Sequence, residues 1–373
     1  MNRSVPLVFS TCIALAVAGV TLSNHAAQSA ESNSSKPNAA STRAGASGGR
    51  EGERQTPASH RFGLDKPLPR TPGTIRVAAY NMENFFDHVD DPSLQGEFDD
   101  LPMATPDDRC RQLAAAIKAI NADIISLEEV ESLEALTWFR DTFLPDAGYK
   151  YLASRDAGYY RGVEQSVMSR FPITESQVWL NESLDSVKRE GPGWTPIPAG
   201  EKHLTFQRSP LMVTVKINDS YELTIFAMHH KAGPSFGWHR EAEALRMVEL
   251  IDELEVKDPA RNIIVMGDFN CAPWDKSMRV YLKGGMTDTM AYRLIDKNSP
   301  ESPLYKTHES DKVLDYILMN SAAFREYVPG SGFVFGTVTP PATGYDYTKD
   351  PRPPGYASDH YPVVIDILPR DQK

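Results

Sequence analysis

The sequence predicts a mixed α/β domain in which strands outnumber helices. Apolar runs such as Ile263–Met266 are short, which is typical of strands buried on both faces. Longer segments, including Asp107–Asn121 and Trp238–Val256, place apolar residues at helical spacing. Only some of the strands alternate with these helices, so the pattern indicates a mixed α/β domain and not a doubly wound one.

The N-terminal segment is predicted to lie outside the folded domain. Arg3 precedes an apolar run, Val5–Leu22, and Ala27–Ser29 offers small residues for cleavage, so residues 1–29 are predicted to be a signal peptide. A membrane anchor is the alternative, but the run is short for a span and no basic cluster follows it. Residues 30–72 are rich in Ser, Gly, Ala and Pro, which predicts a flexible linker. We expect the domain at residues 73–370, in a secreted or periplasmic protein without stable membrane anchoring.

The composition limits how the protein can attract its partners. The chain of 373 residues carries 50 acidic and 39 basic side chains, which gives a formal net charge of −11. Such a charge provides no general attraction to nucleic acid or to an anionic membrane. If the protein binds phosphate, a local charge must override this field, and a metal ion is the obvious candidate.

The first part of the domain alternates strands with helices. The first strand, Thr74–Tyr80, leads into an acidic loop at residues 87–100. Asp107–Asn121 is a helix, because acids occupy its first turn and apolar residues form one face. Asp123–Leu127 is a second buried strand, and Ser132 can cap the helix that follows it.

The rest of the domain is dominated by strands. Their apolar patterns cover Lys150–Ser154, Ser166–Arg170, Leu211–Ile217, Glu222–Met228, Ile263–Met266, Val313–Met319 and Val363–Leu368. Two helices interrupt them. Trp238–Val256 is amphipathic and ends before Pro259, and a short helix begins at Asp275.

Polar residues suited to metal binding or proton transfer stand at strand ends. These are Asn81 with Glu83, Glu129, His229, Asp268 with Asn270, Asp315, and Asp359 with His360. Each alone has an ordinary explanation, because a glutamate after a strand is usually solvated and a histidine is usually structural. Together they predict a carboxylate-rich site for a hard cation, flanked by two imidazoles.

Short motifs around these residues occur in a characteristic order. They are YNMEN at Tyr80–Asn84, LEEV at Leu127–Val130, SRFPI at Ser169–Ile173, HHKA at His229–Ala232, GDFN at Gly267–Asn270, LDYIL at Leu314–Leu318 and SDHYP at Ser358–Pro362. This series resembles the endonuclease/exonuclease/phosphatase superfamily, which includes deoxyribonuclease, abasic-site endonucleases and sphingomyelinases. The resemblance implies the family fold, in which two mixed β-sheets pack face to face with helices on both outer faces, a four-layer αββα sandwich.

The resemblance also implies a metal site. Glu129 matches the metal-binding glutamate of the family, while Glu128 takes the place of the family's glutamine. Asn81, Glu83 and Asp359 are expected near the same ion. The ion implied is Mg²⁺ or Mn²⁺, which oxygen ligands suit.

The remaining matched positions imply catalytic and substrate-binding roles. Asp268 matches the residue that positions or deprotonates the attacking water, and Asn270 the amide that steadies the phosphoryl oxygens. His360, oriented by Asp315, matches the imidazole facing the phosphate, and His229 matches the second histidine of the deoxyribonuclease and sphingomyelinase branches. Glu164 is expected to support His229. The candidate substrate-binding residues are Lys231, Arg161 and Arg208.

The activity implied by the resemblance is metal-dependent hydrolysis of a phosphoester bond. A phosphodiester has a poor leaving alkoxide, so two imidazoles around one phosphate favour a nuclease acting on extracellular DNA or RNA. We expect an endonuclease that works as a monomer. One alternative is a sphingomyelinase-like or other phosphoesterase acting on lipid or small phosphorylated substrates. Another is a non-catalytic binding protein on the same fold, although no metal acid or histidine is missing.

Two further expectations concern the rim of the site. The carboxylates at residues 87–100 would repel a polyanion, so Ca²⁺ is a candidate ligand, with a solvated loop as the alternative because the spacing is not that of an EF-hand. Cys110 and Cys271 are expected on the same rim, where an exported protein would permit a disulfide. Two inert thiols are the alternative.

Overall fold

The structure, a computed structural model, describes residues 60–372 apart from 186, 188–192, 199, 202, 203, 342, 347 and 348. The predicted signal peptide and residues 30–59 of the predicted linker lie outside the described residues.

The predicted strands and helices occur in the expected order, and the described residues contain three further strands and one further short helix. The strands are β1 Ile75–Phe85, β2 Ile124–Val130, β3 Tyr151–Ser154, β4 Glu164–Ser169, β5 Ile173–Val178, β6 Leu211–Asn218, β7 Tyr221–His229, β8 Ile263–Asp268, β9 Thr287–Asp288, β10 Asp315–Met319, β11 Phe333–Val334 and β12 Val363–Ile367. The helices are α1 Asp107–Ile120, α2 Leu133–Phe143, α3 Gly237–Lys257, α4 Lys276–Lys283 and α5 Ser321–Phe324. As predicted, the Ser132 side chain caps α2 by accepting the N–H of Ala135.

The strands form two six-stranded sheets of similar construction. The first has the order β11-β12-β1-β2-β4-β3, and the second has the order β5-β6-β7-β8-β10-β9. Each sheet has one parallel pair, β1 with β2 and β7 with β8, and its other pairs are antiparallel. A helix connects the strands of each parallel pair, α1 in the first sheet and α3 in the second.

The two sheets pack face to face, and the side chains of β1 point alternately to the second sheet and to the outer helices. Val77 and Ala79 belong to the large core that also contains β7 and β8 of the second sheet, whereas Ala78 and Tyr80 pack with α1 and α2 on the outer face. Neighbouring residues of a strand point to opposite faces, so one strand contributes to two layers of the core. Helices α3 and α4 pack together and contribute to the core of the second sheet. Two mixed sheets with helices around them confirm the predicted fold class.

The start of the domain differs from the prediction. Residues 60–72 were assigned to the linker, but Phe62 is buried in the main core and Leu64 pairs with Phe335. Leu68 also packs against the core on the outer face of the first sheet, and Arg70 Nη1 lies 2.7 Å from Asp123 Oδ2. The linker boundary predicted at residue 72 is therefore wrong for residues 60–72.

The two cysteines of the domain are free and buried. Cys110 lies in α1, in the core on the outer face of the first sheet, and Cys271 follows β8 in the core of the second sheet. The two thiols belong to different layers, so the disulfide considered from the sequence is not formed. None of the helices in the described part of the chain combines the length and hydrophobicity that a membrane-spanning helix needs.

Candidate active site

The topology brings the predicted site residues to one edge of the sandwich. The parallel strands β1, β2, β7 and β8 each deliver their polar residues at their carboxyl ends. Strand β10 runs antiparallel to β8, so Asp315 at its start pairs directly with Asp268. Strand β12 runs antiparallel to β1, so Asp359 and His360, which precede it, arrive at the same edge. These three residues stand at strand starts and not at strand ends, because antiparallel pairing reverses the direction of the chain.

A buried group of two carboxylates and two imidazoles forms the centre of the site. His360 Nδ1 lies 2.8 Å from Asp315 Oδ2, and His360 Nε2 lies 3.7 Å from Asp268 Oδ2. From the other side, His229 Nε2 approaches the same oxygen of Asp268 at 3.3 Å. Because an ionised carboxylate can only accept, His360 Nδ1 carries a proton and donates it to Asp315. None of the four residues is more than 5% exposed.

Two asparagines fix the carboxylate of Asp268. Asn81 Nδ2 donates to Asp268 Oδ2 at 3.3 Å, and Asn270 Nδ2 donates to the same oxygen at 3.0 Å. The backbone N–H of Asn270 donates to Asp268 Oδ1 at 2.7 Å. These bonds hold the carboxylate in one orientation between the two imidazoles.

The backbone of several site residues is left-handed. Glu83, Asn84, Glu129 and Asn270 have φ angles of 52°, 48°, 62° and 47°. Asparagine adopts this region readily, whereas glutamate does so at a cost. The register of the β1–β2 pairing shifts between Asn81 and Phe85, and that of the β2–β4 pairing shifts between Glu128 and Val130. Such residues persist where the surroundings determine them and cluster at functional sites.

Burial and neighbouring charges shift the pKa values of the central residues. Burial raises the pKa of Asp268 to about 7, with His360 opposing the shift and Asp315 adding to it. Burial alone would lower the pKa of His360, but the carboxylates around it, chiefly Asp315 and Asp268, raise it well above its usual value. Burial, together with the charges of Arg208 and His360, lowers the pKa of His229 well below its usual value. The site therefore combines a charged and a neutral imidazole.

The residues predicted to bind metal have different surroundings. Glu129 Oε1 faces His229 Nε2 at 3.7 Å and stands at the edge of the central group. Glu83 is held by the hydroxyl of Tyr356 at 2.6 Å and by the guanidinium of Arg352. Glu83 therefore links β1 to the loop before β12, and the guanidinium of Arg352 already balances the charge of its carboxylate.

The oxygen donors nevertheless suit a hard cation. Asp359 Oδ1 is buried and has no hydrogen-bond partner within the described residues. Although burial opposes it, the charges of His360 and His308 lower the pKa of Asp359 to about 2, so this side chain is an anion. Mg²⁺ retains several water ligands and needs only one or two carboxylates. The residues present, Glu129 and Asp359 with the amide of Asn81, therefore fit the ion that the resemblance implies.

Acid and histidine clusters compact enough for a metal occur at this edge. Two of the three found in the described chain are Asp268 with Asp315 and His360, and His308 with Asp359 and His360. Neither cluster contains Glu129, whose contact with the central group is the one between its Oε1 and His229 Nε2.

Two of the three predicted substrate-binding residues lie beside the site. Arg161 donates to the side chain of Asn84, and the charge of Glu129 is close enough to raise the pKa of Arg161 against the effect of burial. Lys231 directly follows the two histidines, and its Nζ lies over the ring of Phe236 at 4.1 Å from the centroid.

Arg208 lies close to the central group, whereas Glu164 is placed differently from the prediction. Arg208 is 2% exposed, lies against the ring of Tyr159 at 4.1 Å and donates to the carbonyl oxygen of His230 at 3.3 Å. Its charge is close enough to lower the pKa of His229, and its contact with substrate stays a prediction. Glu164 accepts the N–H of Ala157, whereas His229 Nδ1 is buried without a hydrogen-bond partner in the described structure. The expected support of His229 by Glu164 is therefore wrong, because the start of β4 turns the carboxylate toward the preceding loop.

His308 lies beside the site and was not identified from the sequence. Its ring meets that of His360 edge to face, with centroids 4.6 Å apart, and its Nε2 lies 3.5 Å from Asp359 Oδ2. The N–H of Ser310 donates to His308 Nδ1 at 3.0 Å, which helps to hold the ring in this orientation. A histidine shortly before the LDYIL motif was the available signal, and it was too weak alone.

The adjacent histidine of the HHKA motif has a structural role. His230 Nδ1 lies 2.8 Å from Glu243 Oε2, and its Nε2 lies 2.8 Å from the hydroxyl of Tyr281. Although burial would raise it, the pKa of Glu243 is lowered to about 2, chiefly by His239 and His230. This buried pair anchors α3 and α4 behind the site.

A cavity of about 570 Å³ adjoins the central group. Asn270 and His308 line it on the catalytic side, and Trp274 and Tyr305 contribute aromatic surface farther out. The side chain of Trp274 is 62% exposed. This surface can contact the part of a substrate that extends beyond the reacting phosphate.

Comparisons with known proteins found a matching family model and several similar structures. A family model described as the Endonuclease/Exonuclease/phosphatase family matches residues 78–360. The catalytic domain of human Nocturnin is similar with a TM-score of 0.49 and 18% identity, covering 80% of this chain and 95% of that chain. An endonuclease/exonuclease/phosphatase protein of Beutenbergia cavernae has a TM-score of 0.49 and 17% identity, covering 80% of this chain and 72% of that chain. Truncated TDP2 of Caenorhabditis elegans has a TM-score of 0.47 and 13% identity, covering 79% and 97%. A comparison with curated proteins gave no match.

Proposed function

Because the chain belongs to the endonuclease/exonuclease/phosphatase family, whose members are typically phosphoester hydrolases, we propose that it is a metal-dependent nuclease acting on DNA or RNA. The observation that carries this proposal is the pair of imidazoles around one carboxylate. His229 and His360 approach Asp268 Oδ2 at 3.3 Å and 3.7 Å from two sides. One imidazole can stabilise the charged phosphoryl oxygens, while the other remains available for the leaving oxygen.

Asp268 is the residue placed to accept a proton from the attacking water. Its pKa of about 7 suits a general base at neutral pH, because an efficient base titrates near the pH at which it works. Asn81 and Asn270 hold its carboxylate in place. A group positioned in this way contributes roughly two to four powers of ten to the rate.

The two imidazoles serve different steps. His360 is kept charged by Asp315 and can donate from Nε2 to a phosphoryl oxygen, where negative charge develops. His229 is neutral, and its Nε2 faces the carboxylates of Asp268 and Glu129, which favours a proton on that atom. His229 can therefore donate a hydrogen bond to the leaving alkoxide.

A divalent cation, Mg²⁺ or Mn²⁺, would be held by Glu129 and Asp359 with the amide of Asn81. When bound, such an ion polarises the phosphoryl group and stabilises a leaving oxygen. The endonuclease/exonuclease/phosphatase family commonly uses divalent metals, and the acid and histidine clusters at this edge agree with that use.

A nucleic acid substrate is supported by the basic and aromatic surface around the centre. Arg161 lies next to Glu129 and is a candidate for a flanking phosphate. The exposed Trp274 is a candidate for stacking with a base, which is a common and sequence-tolerant contact with single strands. With a net charge of −11, binding would depend on these local groups and on the metal.

A small or lipid phosphoester is the second candidate. The cavity beside Asn270 has a volume typical of pockets that bind a small organic ligand, and the acidic net charge disfavours a long polyanion. Turnover of such a substrate would leave the roles of Asp268 and His360 unchanged.

A substrate panel tests the proposal. Purified protein with Mg²⁺ is offered plasmid DNA, single-stranded RNA, sphingomyelin and a phosphomonoester side by side, and Asp268→Asn serves as the inactive control. We expect nicking of the plasmid or cleavage of the RNA, and nicking of closed circles identifies endonuclease activity. Turnover of the lipid or the monoester with DNA and RNA untouched would contradict the nuclease proposal.

We also propose that the protein is exported through residues 1–29 and acts as a monomer. N-terminal sequencing of the mature protein and its mass in solution test these two points. An uncut N-terminus in the cell interior, or a stable dimer, would contradict them.

A further inference from the structure

The acidic loop after β1 contains a compact group of carboxylates apart from the catalytic centre. Asp90, Asp99 and Asp100 each place one oxygen within 4.8 Å of the others. Asp87 and Glu131 are buried nearby, and the N–H of Asp87 donates to Glu131 Oε2 at 2.8 Å. No described lysine, arginine or histidine forms an ion pair with any of these five side chains. No ion pair therefore compensates the group within the described residues. Burial, with the charges of Asp87 and Asp100, raises the pKa of Glu131 to about 8, so Glu131 keeps a proton and hydrogen-bonds with the side chain of Asp100.

Asp100 has one buried carboxylate oxygen that no N–H or hydroxyl group satisfies. Its side chain is buried, with 1% exposure, and its Oδ2 accepts the N–H of Asp91 at 3.0 Å. Its Oδ1 is also buried and accepts no hydrogen bond from an N–H or hydroxyl group of the described residues. An unpaired buried carboxylate oxygen is costly, and buried charges in proteins are normally paired or coordinate a metal.

We propose that Asp90, Asp99 and Asp100 bind a Ca²⁺ ion, with Asp100 Oδ1 as a central ligand. The donors are all oxygens of a loop, and Ca²⁺ accepts six to eight oxygen ligands in flexible geometry. Mg²⁺ demands a smaller and more regular octahedron and releases its water reluctantly, so this loop favours the larger ion. The proposal does not depend on the function proposed above.

Bound Ca²⁺ would stiffen one wall of the active site. Leu94 and Met103 of the same loop pack against Phe86, Tyr159 and Val163. The segment between Tyr159 and Val163 carries Arg161, which donates to the side chain of Asn84 in the active site. An ion that holds the loop in place would therefore also restrict the motion of the segment that carries Arg161.

Calorimetry on the full chain tests the site directly. A Glu129→Ala variant removes the principal ligand of the catalytic ion, so that the heat of Ca²⁺ binding reports on the loop. We expect one Ca²⁺ per chain, and we expect Asp100→Asn to weaken binding at least tenfold. Glu97→Gln is the matched control, because Glu97 is exposed in the same loop and outside the cluster. If Asp100→Asn fails to fold, Asp90→Asn replaces it, because Asp90 is exposed.

Limited proteolysis provides a second readout. Ca²⁺ should slow cleavage within residues 87–103 at least fivefold, and excess Mg²⁺ should not reproduce the protection. Absence of both heat and protection would show that protons compensate the carboxylates, and the proposal would be overturned. Equal weakening by Glu97→Gln and the cluster variants would also overturn it, because binding would then be diffuse attraction to the acidic loop.

Discussion

Replacement of Glu164 by glutamine should change how the stability of the domain depends on pH. Glu164 is buried at the start of β4, and burial raises its pKa to about 8, despite the hydrogen bond from Ala157 and the charge of Arg208. Its ordinary value is 4.5. Between these two values the folded protein holds a proton that the unfolded chain has released. The free energy of unfolding therefore falls as the pH rises, by about 1.4 kcal/mol per pH unit.

The expected size of the effect follows from this slope. From about pH 5.5 to about pH 7.5, the wild-type protein should lose roughly 2–3 kcal/mol through Glu164. Glutamine has the shape of the protonated acid and does not titrate, so Glu164→Gln should lose nothing through this position. Urea unfolding of both proteins at several pH values gives the difference, in which titrations common to both cancel. Glu222→Gln, at an exposed position on β7, controls for the replacement itself. Parallel stability curves for wild type and Glu164→Gln would refute the reasoning.

Two further predictions concern catalysis and sheet packing. Asp315→Asn removes the charged acceptor 2.8 Å from His360 Nδ1, so kcat should fall roughly 10²–10⁴-fold. The circular dichroism spectrum should stay unchanged. A loss of kcat below threefold would contradict the orienting role of Asp315. Gly267→Ala would place a Cβ 2.2 Å from the carbonyl oxygen of Met228 at a φ of 132°, so we expect a loss of more than about 2 kcal/mol in thermal unfolding. Gly285→Ala is the control, because Gly285 has a φ of 85° but an added Cβ would meet no atom within 4 Å. Equal losses of stability in the two variants would show that close packing is not the cause.

Much of the fold and of the site could be predicted because local patterns carried the information. Apolar strands that end in polar residues located Asn81, Glu129, His229 and Asp268, and the structure brings all four to one edge. In the HHKA motif, His229 faces Asp268, and its neighbour His230, for which no role was predicted, is buried against Glu243.

The rest depended on contacts that no local pattern records. Glu83 was expected near the metal ion, but Arg352 and Tyr356, far along the chain, occupy its carboxylate. Strands β9 and β11 have two residues each, which is too short for any periodicity to appear. Burial of Phe62 and the pairing of Leu64 depend on a surface formed by distant segments, so composition alone made residues 60–72 resemble a linker.

Turnover of a phosphodiester with and without metal is the most direct test of the central claim. The protein is measured with Mg²⁺ and after chelation by EDTA, beside the variants Glu129→Ala and Asp268→Asn. We predict that EDTA abolishes turnover and that each variant loses roughly three powers of ten or more in kcat while retaining its melting temperature, because groups that act as a unit fail together. Full activity in EDTA, or near-normal rates for both variants, would contradict the assignment of the active site.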